Sequence, residues 1–283
     1  MFNECHKFNQ DISKKEISAD DSPTDEAYIA WNTSNVTNME FMFNKCYIFN
    51  QELVNWDTSN VTDMKATFQS CYVFNQNIGN WDVSSVIDMT TMFWDASAFN
   101  QNIGGWDISS VITMPSMFVN VAAFNNGGSN TIDNWDTSNV NNMYRMFHGA
   151  SNFNQDIGGW DVSSVTNMNQ MFRDAINFNQ DIGSWDVSNV TDVTAMFLSA
   201  TIFNQDLSGW DVSKVTNMMG MFYYAEAFNQ DIGKWNIEKV TSLSVMFIGA
   251  DSFDQDIGKW STANVANMQR MFEGSRAFNQ DLG

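Results

Sequence analysis

FNQDIGGWDVSSVTNMNQMFRDAIN, residues 153–177, is one unit of a repeat that runs through the whole chain. Tryptophan marks the period. Trp31, Trp56, Trp81, Trp106, Trp135, Trp160, Trp185, Trp210, Trp235 and Trp260 stand 25 residues apart, except for a step of 29 between Trp106 and Trp135. A fixed period of this size means units that stack, each touching mainly its neighbours. Residues 1–283 therefore read as a single elongated repeat domain of about ten coils, about 50 Å long if coils stack at strand spacing.

Within one unit the apolar positions are Val86, Met89, Met92, Phe93, Ala96, Phe99, Ile103, Trp106 and Ile108. From Val86 to Ala96 they fall at i, i+3, i+6, i+7 and i+10, which predicts a short helix. Ser84-Ser85 before it, with Asp88 three residues after Ser85, has the form of a capping box; Asn60, Asn139 or Asn189 stands at the cap elsewhere. Trp106-Asp107-Ile108 predicts a short strand with Trp and Ile inward, entered through the corner Gly104-Gly105. The expected fold class is an α/β repeat solenoid with one short strand and one short helix per coil.

The period breaks twice. About residues 13–28 are extra, charged and hold one of the two prolines, which predicts a mobile loop. Gly127 to Asn130 lengthens another unit by 4 residues. Both insertions lie between the FNQ and the Trp, and so are expected on the same edge. Both ends fall in mid-repeat without a capping unit, as expected of a piece of a longer protein or of a stack that docks end-on.

The balance of 13 Lys+Arg against 33 Asp+Glu gives a formal charge of −20. That excludes the basic footprint a nucleic-acid partner requires. No run of about 18 apolar residues exists to cross a membrane, and no secretory signal stands at the start. Cys5, Cys46 and Cys71 share one column of the repeat with Ala96, Ala150, Ala175 and Ser275. They read as small buried residues, with a disulfide between stacked neighbours left open.

The spacing Ile103-x-x-Trp106-x-Ile108 resembles the strand segment of a leucine-rich repeat. The unit FNQDIGxWDVSxVTxMxxMFxxA is similar to the repeats of BspA-type leucine-rich-repeat surface proteins, abundant among mycoplasma surface lipoproteins. The resemblance covers nearly the whole chain. It implies a right-handed stack, a cell-surface or extracellular location, and adhesion or protein–protein contact. The sequence departs from ordinary leucine-rich repeats in one respect: the usual asparagine after the strand is absent, and Val111, Val165 and Val190 sit near its place. The asparagine column lies instead in FNQ, from Asn50 to Asn279 with Asp254 as the exception.

That asparagine column suits sugar hydroxyls, but buried coil corners need the same amides for their own backbone. Asp82, Asp107, Asp136, Asp161, Asp186 and Asp211 follow the tryptophans and would repel one another at strand spacing. Local turns to Ser163-Ser164 and their equivalents answer this, and Ca²⁺ between coils is the alternative. The Met-Phe pairs and the tryptophans read as core. A threonine column from Thr37 to Thr241 is interrupted at Ile87, Ile112 and Asn141. No cofactor is implied, and no nucleophile–base set or phosphate loop appears.

Where the repeat varies, a partner is read. Trp94, His148, Arg173, Leu198, Tyr223, Tyr224 and Ile248 are the partner-binding candidates. The expectation is a non-enzymatic surface or secreted scaffold for protein contact or adhesion, without membrane insertion. A structural subunit of a larger assembly, with end-to-end contacts, and a calcium-binding acidic solenoid are the alternatives.

Overall fold

The computed structural model describes residues 1–23 and 28–282. The chain winds in coils whose equivalent residues meet in parallel. Asn38, Asp63, Asp88, Thr113, Asn142, Asn167, Asp192, Asn217, Ser242 and Asn267 form one unbroken line of parallel bridges. Every predicted apolar column faces inward. In one coil Trp160, Val162, Val165, Met168, Met171, Phe172, Ala175, Phe178 and Ile182 are all buried.

Two phenylalanine files run along the core. Phe172 stacks on Phe178 of its own coil at 3.9 Å and on Phe197 of the next at 5.8 Å. The offset rings bury large apolar area and fix the register, because a one-residue slip would place polar neighbours inside.

The predicted helix is not formed, and among the described residues there is no α-helix. Residues 168–178 are instead a chain of tight turns: Met171 N–H donates to Met168 O, Arg173 to Gln170, Ala175 to Phe172 and Phe178 to Ala175. The alternate amides point along the stack: Met168, Gln170, Phe172 and Asp174 donate to Asp192, Thr194, Met196 and Leu198 at 2.7–3.1 Å. The turns require two left-handed residues per coil, for example Gln170 (φ 57°) and Asp174 (φ 58°). The same side-chain spacing fits both a helix and this ribbon. The ribbon forms because each coil offers its neighbour a row of carbonyls.

The predicted strand at Trp106-Asp107-Ile108 is also absent among the regular elements; the parallel pairing falls a few residues later, at Thr113. The predicted cap residues act differently too. Ser85 Oγ donates to Ser59 O of the previous coil and Asn189 Nδ2 to Ser163 O, while Asp88 accepts from Thr90 N–H in a turn of its own.

The first insertion is not simply a loop. β1 (Lys15–Ile17) pairs antiparallel with β2 (Tyr28–Ala30), with a single 3-10 turn at Ala19–Asp21; residues 24–27 of the expected loop lie outside the described residues. The second is closed by its own bonds. Asn126 is buried, accepts from Ile103 N–H at 2.9 Å and donates to Ser129 O at 2.7 Å. Ile132 is buried in the isoleucine column of the core.

Cys46 and Cys71 are buried, as the column predicts, but Cys5 is exposed; all three are free thiols. Trp31 departs from its column as well. It is 39% exposed, has φ of 53°, and leans on Phe2 with ring centroids 5.8 Å apart.

Candidate functional site

The repeated polar groups are consumed by the stack itself. From Trp56 onward each column indole donates Nε1–H to a carbonyl of the preceding coil, as Trp210 does to Ile182 at 3.0 Å and Trp260 to Ile232 at 3.0 Å. The asparagine column is a ladder of the same kind. Asn154 Oδ1 accepts the Asn179 amide at 2.9 Å and Gln180 Nε2 at 3.0 Å. Asp254 keeps the acceptor, taking Asn279 N–H at 2.8 Å and Gln280 Nε2 at 2.9 Å. The Asn279 amide, then the Gln280 side chain, hold its carboxyl below the usual aspartate range. Buried or half-buried amides so committed have no spare valence for a sugar.

The aspartates offered as calcium ligands close serine turns. Oδ1 of Asp82, Asp107, Asp136, Asp161, Asp186 and Asp211 accepts the amide two residues on, at 2.9–3.1 Å. At Asp107 the Ser109 hydroxyl adds a bond of 2.6 Å, and Ser109 holds that carboxyl below its ordinary range. Asp186 is lowered mainly by Ser188, and its neighbours Asp161 and Asp211 push weakly the other way. The expected repulsion is therefore present and is outweighed by the local turn. Among the described residues no three His, Cys, Asp or Glu side chains gather as a metal cage.

What remains open to solvent is the variable column. Trp94, His148, Arg173, Leu198, Tyr223 and Ile248 occupy equivalent positions in their coils, and Tyr224 the position after. Trp94, His148, Arg173, Leu198 and Tyr223 are half-buried, and Tyr224 is exposed. Ile248 is buried at 4% and presents no surface. Tyr223 meets Tyr224 edge to face at 4.6 Å, and the Tyr224 ring lies over Gly249, whose missing side chain leaves it room.

A second exposed group is the stack His6–Tyr47–Tyr72, with centroids 4.5 and 5.1 Å apart, flanked by exposed Ile48 and Val73. The two histidines sit in separate coils and share no partner.

Sequence reading missed one cluster beside His148 and Arg173. Arg145 Nε donates to Gln170 Oε1 at 2.9 Å, and Arg173 Nη1 reaches the same oxygen at 3.4 Å. His148 Nε2 and Arg173 Nε approach Asp174 Oδ2 at 3.5 and 3.2 Å. The His148 contact, ahead of the Arg173 charge, holds the Asp174 carboxyl below the usual range. The signal was present: Arg145 and Gln170 are 25 residues apart and so share a column.

Among the described residues no helix is long and apolar enough to cross a membrane. A family described as "Mycoplasma protein of unknown function, DUF285" matches residues 18–131, 126–218 and 203–283. Among solved structures, a leucine-rich-repeat protein of Leptospira interrogans is similar over 78% of this chain at 6% identity and a TM-score of 0.27. This chain spans 58% of the length of that one. No curated protein matches. With a TM-score that low, the fold rests on the coil contacts themselves.

Proposed function

The chain belongs to the DUF285 family of mycoplasma proteins, and from that premise we propose that it is a non-enzymatic contact scaffold at the cell surface, of the BspA type. One observation carries this reading. Indole, asparagine and aspartate groups that recur in the repeat are committed to the stack, so chemical individuality is confined to the variable columns. An active site sets unlike groups in unlike surroundings. Here the same groups recur in the same surroundings along the body, and only side chains such as Trp94, Tyr223 and Tyr224 break the repetition on the outside. Aromatic and arginine side chains of this kind are the residues that dominate protein interfaces.

The resemblance to BspA-type repeats supports a surface location and adhesion or protein–protein contact as the use of that face. The test has two parts. Intact cells that make the protein are treated with a membrane-impermeant label and with protease; labelling is expected. Purified protein is then offered to partner cells as wild type, as Trp94→Ala/Tyr223→Ala/Tyr224→Ala, and as Asp186→Asn. Loss of binding in the first variant alone supports the reading. Protection inside the cell, or equal binding by all three, overturns it.

A further inference from the structure

On a molecule of formal charge −20, residues 144–174 carry an uncommon concentration of cations. Arg145 and Arg173 lie in adjacent coils and converge on one neutral oxygen, Gln170 Oε1. Like charges held this close repel. The arrangement has one anion in contact, Asp174, and that carboxylate is spent on Arg173 and His148. Arg145 is in none of the ion pairs among the described residues. Its guanidinium is instead steadied by the Tyr144 ring, 5.0 Å from the centroid.

A guanidinium carries five N–H donors. Arg145 spends one on a protein acceptor and Arg173 spends two. Both side chains are half-exposed, so the unused donors face solvent from a fixed position. Planar forks held side by side suit a planar oxyanion.

We propose that Arg145 and Arg173, set together by Gln170, form a binding site for a single carboxylate presented by a partner protein. The choice of a singly charged group follows from the surroundings. Asp174 lies within the cluster and the whole body is strongly acidic, so a polyanion such as a nucleic acid or a sulfated polymer meets repulsion outside the two arginines. A lone carboxylate gains the contact without that opposition. This deepens the contact-scaffold reading and fails separately from it, because the titration below reads the site and the cell-binding assay reads the scaffold.

The experiment follows the arginine Nε–H resonances of the full chain by NMR. Acetate is titrated against chloride at constant ionic strength, with sulfate as a second arm. A saturable acetate response at Arg145 and Arg173 is expected, weakened at least 10-fold in Arg145→Gln and in Arg173→Gln. Gln170→Glu places a carboxylate between the two forks; it is expected to abolish the acetate response and to raise the melting temperature. Equal responses to acetate and chloride, or unchanged binding in both arginine variants, overturn the site. Tighter uptake of sulfate than of acetate overturns the assignment to a carboxylate.

Discussion

Trp185 Nε1 lies 3.1 Å from the carbonyl oxygen of Ile157, in the coil before, and the bond is buried. A core tryptophan thus does two things in each repeat. Its ring fills the interior, and its N–H satisfies a carbonyl that no turn of its own coil reaches. Trp185→Phe keeps most of the apolar volume and leaves the Ile157 oxygen without this donor. Loss of about 1–3 kcal/mol is expected from an unsatisfied buried acceptor. Urea melts followed by circular dichroism check it, and an unchanged midpoint would contradict the assignment. Repeat arrays need not unfold in one step, so the midpoint is read together with the slope.

Asn179 Oδ1 accepts the Asn204 amide and Gln205 Nε2 of the next coil. Asn179→Ala removes the acceptor for two donors and should cost about 1–3 kcal/mol. Asn179→Asp restores it, as Asp254 already does in the same column. The aspartate variant is expected to match wild type at neutral pH and to fall behind it in acid. Melts of both variants at pH 7 and pH 3 separate these outcomes.

Ser109 holds the Asp107 carboxyl below its ordinary value. A carboxylate lowered by folding contributes stability above its unfolded value, about 3.9, and loses it as pH falls through the lower folded value. Ser109→Ala should therefore lower the melting temperature at neutral pH and make its decline below about pH 4 shallower. Parallel pH curves for wild type and variant would remove the serine from that role.

Thr91 has φ of 54°, and its amide is held by Pro115 O at 3.0 Å. A β-branched residue in the left-handed region is strained. The equivalent position in another coil is Gly220, with φ of 61°. Thr91→Gly should stabilise or leave stability unchanged, and Gly220→Val should destabilise by about 1–3 kcal/mol. Thermal melts of the pair test the turn ribbon directly, since a helix would order them in the opposite sense.

Burial pushes the Cys46 thiol up to about 11 and the Cys71 thiol well above its ordinary value, while Cys5 is exposed. The thiolate is the reactive form. In the folded protein at pH 8 a thiol reagent should titrate Cys5 promptly and the other two only on unfolding. Prompt reaction of all three would show the first coils to be open.

Much of this was legible in the residues. The inward columns, the asparagine ladder and the aspartate turns were readable because each answers a need of its side chain that recurs every 25 residues: indole and phenyl rings must leave water, and short amides and carboxylates find backbone N–H groups. The shape between those points was not legible. The stripe Val86–Met89–Met92–Phe93–Ala96 satisfies a helix as well as a run of left-handed turns. Only the carbonyl row of the adjoining coil decides between them, and it exists only once coils stack. The pairing of Arg145 with Arg173 through Gln170 has the same origin. Sequence placed these residues in columns, and the tertiary structure decided that their side chains meet on one oxygen, because coil-to-coil register turns a separation of 25 residues into a contact.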